Sequence, residues 1–300
     1  MSRRVEQKAQ ARERIAEVRA AQQRAERRRR LLLALGAVAV VIVVVGVLVV
    51  VRLAGGGKQT STGPSGTADS QVVSALASVP STTFDQVGTD AVKGAPSSIT
   101  APALTASGKP KILYIGAEFC PFCAAERWPV AVALSRFGTF SNLGTTHSAS
   151  DDVYPNTPTL SFHGATYTSK YLSFTGVETT TNEKVNGQYA PLDTPAAADQ
   201  QTFDTYNRPP YVTSAGSIPF IDIGGKLVSS GATYSPELLA GKTQAEVANA
   251  LKDPSSPIAK AIDGSANVYT AAFCQLTGNQ PTNVCTSAAV TAAAGKLGKS

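Results

Sequence analysis

From Leu31 to Val51 the chain runs for 21 residues without a charged or polar side chain. Such a run has one stable solution, a helix, and at ~1.5 Å rise per residue its length matches the ~30 Å hydrocarbon core of a bilayer. Four consecutive arginines, Arg27 to Arg30, precede it. By the positive-inside rule the N-terminus stays in the cytoplasm and everything after the run is exported. The alternative is a cleaved signal peptide. Against it, the run exceeds the ~7–15-residue apolar core of such peptides, and small-x-small cleavage chemistry is poorly met by Arg52-Leu53-Ala54-Gly55. The sequence therefore predicts a single-pass cell-membrane protein: 1–30 a cytoplasmic basic arm, 31–51 the transmembrane anchor, 52–68 a flexible linker, and 69–300 one extracytoplasmic domain.

The net charge of +6 suggests acidic partners until its distribution is considered. Residues 1–30 hold 11 Lys/Arg against 4 Asp/Glu, and the remainder holds 16 against 17. A nucleic-acid-binding domain carries its basic face on the folded part, so nucleic acid is not an expected partner. The Ala/Gln/Arg/Glu-rich arm reads as a solvated helix drawn to anionic headgroups. Ala54 to Ala68 is a Gly/Ser/Thr tether, spanning about 20 Å as a random coil.

Beyond the tether, periodicity and turn signals give a coarse map. Helices are expected at 69–77, 124–137, 194–206, 243–251 and 256–273. Strands are expected at 111–117, 159–162, 167–174, 220–223 and 226–229, the last two joined at Gly224-Gly225 as a hairpin. Alternation of strands and helices indicates an α/β sheet domain.

The cysteines number four and fall into two local pairs, Cys120 with Cys123 and Cys274 with Cys285, which suits an oxidising compartment. The distant pair is expected to be a structural disulfide closing the loop that contains Gly278, Asn279 and Pro281; a second redox pair is the alternative. Cys120-Pro121-Phe122-Cys123 lies between a buried strand and a helix. A helix N-terminus offers unpaired N–H groups and partial positive charge, both favourable to a thiolate. Cys120 is then the exposed attacking cysteine and Cys123 the shielded resolving one, while Pro121 suits the first turn. Half of a zinc site is a competing interpretation of CxxC. It requires two further ligands from His147, His163 and the second cysteine pair. Copper handling with His147 or His163 is a third.

The stretch Ile112 to Cys123 resembles the strand–aromatic–CxxC–helix unit of the thioredoxin superfamily. Phe119 stands where that family often has tryptophan, Pro129 resembles its helix-kinking proline, and Ser217-Ile218-Pro219-Phe220 before Gly224-Gly225 resembles its cis-proline loop and terminal hairpin. The run Phe119 to Phe137 is also similar to a membrane-anchored prokaryotic family catalogued as domain of unknown function 929, over residues ~70–300. The resemblance implies an α/β thioredoxin-like fold with insertions at 177–212, a C-terminal helical extension over 252–300, and one preceding transmembrane helix. It implies Cys120, Cys123 and Pro219 as catalytic, with Phe119, Pro121, Phe122 and Ile218 contacting substrate. The buried acid usual on the strand before the motif is missing from 111–117. Glu126, three residues past Cys123, is the expected proton acceptor, unless it pairs with Arg127 or Arg136; Glu118 is a second candidate. The expected function is thiol–disulfide exchange on exported proteins, without metal or cofactor and with a redox partner the sequence leaves unnamed. A non-catalytic binding module or envelope adaptor is the alternative.

Overall fold

The computed structural model describes residues 66–67 and 70–298, which fall within the unit Thr62–Ser300. The basic arm, the anchor and nearly all of the tether lie outside the described residues. Among those described, no helix is long and apolar enough to cross a membrane.

The architecture is mixed α/β. In chain order its first part comprises β1 (Gly66–Thr67), α1 (Ser70–Ala77), α2 (Ser81–Val87), β2 (Ser97–Ser98), β3 (Thr105–Ala106), β4 (Lys109–Gly116) and α3 (Pro121–Ser135). The middle part comprises β5 (Gly138–Ser141), β6 (Gly144–His147), β7 (Pro158–Ser161), β8 (Thr166–Ser169), β9 (Ser173–Glu178), β10 (Thr180–Val185), β11 (Gln188–Pro191) and α4 (Ala197–Tyr206). The last part comprises β12 (Phe220–Ile223), β13 (Leu227–Ser230), a 3-10 turn at Pro236–Leu239, α5 (Gln244–Ala250), α6 (Pro257–Leu276), α7 (Thr282–Cys285) and α8 (Ala288–Ala294).

β4 is the axis of a six-stranded sheet. On one side it pairs antiparallel with β12, which pairs with β13 and then β2. On the other it pairs with β3 at its start and, in parallel, with β9 over Lys111–Gly116. Successive strand residues point to opposite faces. Ile112 and Tyr114 enter the main core with Trp128, while Leu113 and Ile115 form a second cluster with Val177 and Phe203 of α4. Burial on both faces is why this strand reads as a continuous apolar run. α3 is buried at every position from Pro121 to Leu134 except Phe122, wedged between the sheet layer and α6; its low amphipathicity follows from that.

Several boundaries differ from expectation for local reasons. α3 begins at Pro121 rather than 124, because Cys120 already serves as N-cap. The run 167–174 is two strands: Ser169 Oγ donates to Phe137 O and accepts from the N–H groups of Tyr171 and Leu172, which turns the chain. Gly66–Thr67, assigned to the tether, pair with Gly144–Thr145, an edge whose backbone groups would otherwise lack strand partners. α5 starts one residue late because Thr243 and Glu246 form a reciprocal capping box. In the C-terminal extension a disulfide joins Cys274 and Cys285, and α8 packs back on α6.

Candidate active site

β4 ends at Gly116, where a Cβ would meet the Tyr114 hydroxyl at 2.6 Å, and the chain turns through Ala117-Glu118-Phe119 into α3. Cys120 caps the helix: its carbonyl accepts from Ala124 N at 2.9 Å and its sulfur from Cys123 N at 3.2 Å. Both cysteines are free thiols. Hydrogen bonding from the Cys123 side chain, above all, holds the Cys120 thiol below its ordinary range against the opposing effect of burial. The N–H groups of Cys123 and Phe122 and the charge of Arg127 act in the same direction. Cys123 is pushed well up, by burial first and by its bond to Cys120 second. The two sulfurs are thus strongly unequal acids. Cys120, expected to be exposed, is 5% exposed. The Ile218 carbonyl lies over it, accepting from its sulfur at 3.8 Å, and the Ile218–Pro219 peptide is cis. Residues 98 positions apart thus meet.

Beneath the pair lies a charged couple that sequence reasoning missed. Arg127, fully buried, donates from Nε to Glu178 Oε1 at 2.8 Å and from Nη2 to Glu178 Oε2 at 2.6 Å. Nη2 also reaches the Ala117 carbonyl at 2.7 Å, the same carbonyl that accepts the Cys120 N–H at 3.3 Å. Arg127 follows Cys123 by four residues, hence on one helix face; that spacing was the available signal. Glu178 ends β9, and its N–H is bonded by Asp193, which also holds His163 Nδ1 at 2.6 Å. Burial raises the Glu178 carboxyl, and the Arg127 charge opposes the rise.

Glu126, the expected proton acceptor, makes no ion pair with Arg127 or Arg136. Its oxygens accept from Tyr269 Oη at 2.5 Å and from Thr233 N and Oγ1 at 2.8 and 2.9 Å. It ties α3 to α6 and to the segment after β13, and burial raises its carboxyl to about 7 despite those bonds. Glu118 is buried and accepts from Ser161 Oγ at 2.6 Å.

The expected substrate-contacting residues frame the pair unequally. Pro121 is buried in the first helical turn. Phe122 is 41% exposed and meets Tyr154 edge-on at 5.9 Å. Phe119 stacks on Tyr189 of the β10–β11 hairpin at 4.3 Å. The ligands that zinc or copper would require do not converge here: His163 is engaged by Asp193, and Cys274 and Cys285 are spent on each other. Among the described residues no three His, Cys, Asp or Glu are grouped to hold a metal ion.

No curated protein and no solved structure matches the chain. Residues 96–195 match the family described as Domain of unknown function (DUF929), a shorter span than the resemblance suggested. The match includes Cys120, Cys123, Arg127 and Glu178 but stops before Pro219 and the C-terminal helices; over residues 96–195 the chain is similar to DUF929.

Proposed function

We propose that this is a thioredoxin-like thiol–disulfide oxidoreductase acting on exported proteins from a single membrane anchor. The observation that carries the reading is the inequality of the two thiols: an acidified Cys120 at the N-terminus of a buried helix, and a fully buried Cys123 one turn in. The strand order β9-β4-β12-β13, with the motif between β4 and α3 and a proline loop opposite, supports the thioredoxin-like assignment. The Cys274–Cys285 disulfide favours an oxidising compartment.

In the reducing direction the Cys120 thiolate attacks one sulfur of a client disulfide. A mixed disulfide forms, and the client's other sulfur leaves as a thiolate that takes up a proton. Cys123 then loses its proton and attacks Cys120 Sγ, releasing the second client thiol. The client gains two electrons and the pair ends as a disulfide. The reverse sequence oxidises a client dithiol. The Arg127 charge stabilises both thiolates and stays charged throughout, since guanidinium does not deprotonate in proteins.

The test is a glutathione redox titration of Cys120–Cys123 joined to an insulin-reduction assay on the full chain. Reversible cycling with turnover, abolished by Cys120→Ser, is the expected result. The 5% exposure of Cys120 favours a second reading, a binding module with an inert pair, and a pair that neither cycles nor turns over insulin would establish it. Protease treatment of protoplasts tests the topology: the domain at 69–300 should be removed and the arm at 1–30 spared.

A further inference from the structure

Among the described residues three large apolar side chains remain exposed: Phe122 at 41%, Val153 at 66% and Val185 at 60%. They are far apart in sequence, yet the segments that bear them are joined at one place. Phe122 touches Tyr154, the neighbour of Val153. Tyr189, paired in the hairpin opposite Lys184 and stacked on Phe119, donates its hydroxyl to Asp151 at 3.2 Å. Lys184, the neighbour of Val185, donates to the other Asp151 oxygen at 2.6 Å. Both segments are anchored to the turn before Cys120: Ala149 N donates to Phe119 O and Glu118 N donates to Thr180 O, each at 2.9 Å. Among the described residues the other large apolar groups are at least partly covered, so the exposed ones are confined to Phe122 and to two segments anchored at the turn before Cys120.

We propose that the 148–157 loop and the β10–β11 hairpin form, with Phe122, an apolar clamp that receives extended polypeptide in which a cysteine is flanked by aliphatic or aromatic residues and by lysine or arginine. This rests on the thiol–disulfide function and names the class of client. The apolar preference follows from the three exposed side chains. The basic preference follows from charge: the two segments carry Asp151, Asp152 and Glu183 against Lys184 alone, and Lys184 is already paired with Asp151. A client cation therefore meets a surplus of carboxylate at the rim, where complementary charge chiefly sets encounter and selectivity. Clients of this kind are unfolded or partly folded chains, because a folded protein buries the aliphatic neighbours of its cysteines.

The full-chain protein is titrated with short fluorescent peptides in which serine replaces the cysteine, so binding is read without exchange. A peptide with leucine and lysine around the serine should bind. Replacing leucine by serine, or lysine by aspartate, should weaken it about tenfold, the factor that ~1.4 kcal/mol gives. The surface variant V153S/V185S should lose affinity to a similar extent. Equal affinity for all peptides, or unchanged affinity in the variant, overturns the clamp. So does a variant that alters sedimentation or vesicle flotation in place of peptide binding, which would make the occupant a second copy or a bilayer. Reaction of the wild-type thiols with a small aromatic disulfide reports separately on the exchange chemistry, so its failure is distinguishable from that of the clamp.

Discussion

Replacing Arg127 by methionine is the sharpest probe of how the domain controls its thiols. The side chain is wholly buried, makes two bonds to Glu178 and one to the Ala117 carbonyl, and its Nη1 has no hydrogen-bond partner. Its loss leaves the Glu178 carboxylate in the core without its counter-ion. Breaking a buried pair in this way costs ~3–5 kcal/mol, a large share of the ~5–15 kcal/mol that holds a domain together. Removing both charges, as R127M/E178Q, avoids the orphaned carboxylate, and a neutral amide costs far less to bury than an unpaired charge. The two variants therefore separate folding from chemistry. Denaturant melts should place R127M far below the parent and R127M/E178Q near it. The double variant, folded but lacking the buried cation, should then need higher pH for Cys120 to be alkylated, because the Arg127 charge contributes to its acidity. The pH profile of iodoacetamide trapping, read by mass spectrometry, gives this directly. A single variant that melts with the parent, or a double variant with the parent's alkylation profile, would refute the role assigned to Arg127.

Other perturbations have outcomes of defined sign. Burial raises Asp263 from an ordinary 3.8 to about 8, and neither of its oxygens has a hydrogen-bond partner; Glu126 is raised to about 7. Both bind a proton more tightly folded than unfolded, so their contribution to stability is full below about pH 4 and is lost as pH rises through ~7–8. Asp263→Asn should melt with the parent near pH 4 and above it near pH 9, by up to about 6 kcal/mol at ~1.4 kcal/mol per tenfold change in proton affinity. Identical pH profiles would remove Asp263 from that account. Cys274→Ser with Cys285→Ser opens a cross-link spanning 11 positions and should cost ~2–3 kcal/mol by chain entropy, read as a lowered melting temperature with insulin turnover retained. Lost turnover at unchanged melting would instead make this pair an electron shuttle. Gly176→Val should disrupt the core, since even a Cβ there meets Phe162 Cβ at 2.5 Å, and soluble, cooperatively melting protein would contradict that packing.

Much of the sheet was legible because its signals are local. β4 is a buried apolar run, the β12–β13 turn carries Gly224-Gly225 at positive φ, and Ser256 announces a helix start as its N-cap. The partner strands β5 and β6, which follow α3, carry no comparable pattern. β5 and β8 pair through Gly138–Ser141 and Thr166–Ser169, stretches of Gly, Thr and Ser broken by single aromatics. Their placement depends on tertiary contacts, such as Tyr167 Oη donating to the Leu134 carbonyl at 2.8 Å, that no window of sequence contains.

The site was half legible for a related reason. Spacing identifies which residues share a helix face but does not say which side of the helix the sheet occupies. Glu126 and Arg127 are adjacent, charged and equally buried, and either could lie under the cysteines by count alone. The choice is made by what faces each: Thr233 and Tyr269 offer donors to a carboxylate, whereas Glu178 at the end of β9 offers a counter-charge to a guanidinium. β9 is brought alongside β4 by a parallel pairing that joins Gly116 to Glu178 across 62 positions. A buried arginine four residues past a CxxC requires such an acid somewhere in the chain. The position of that acid is set by the crossover, and it is this long-range pairing that brings a counter-charge to the buried guanidinium four residues past Cys123.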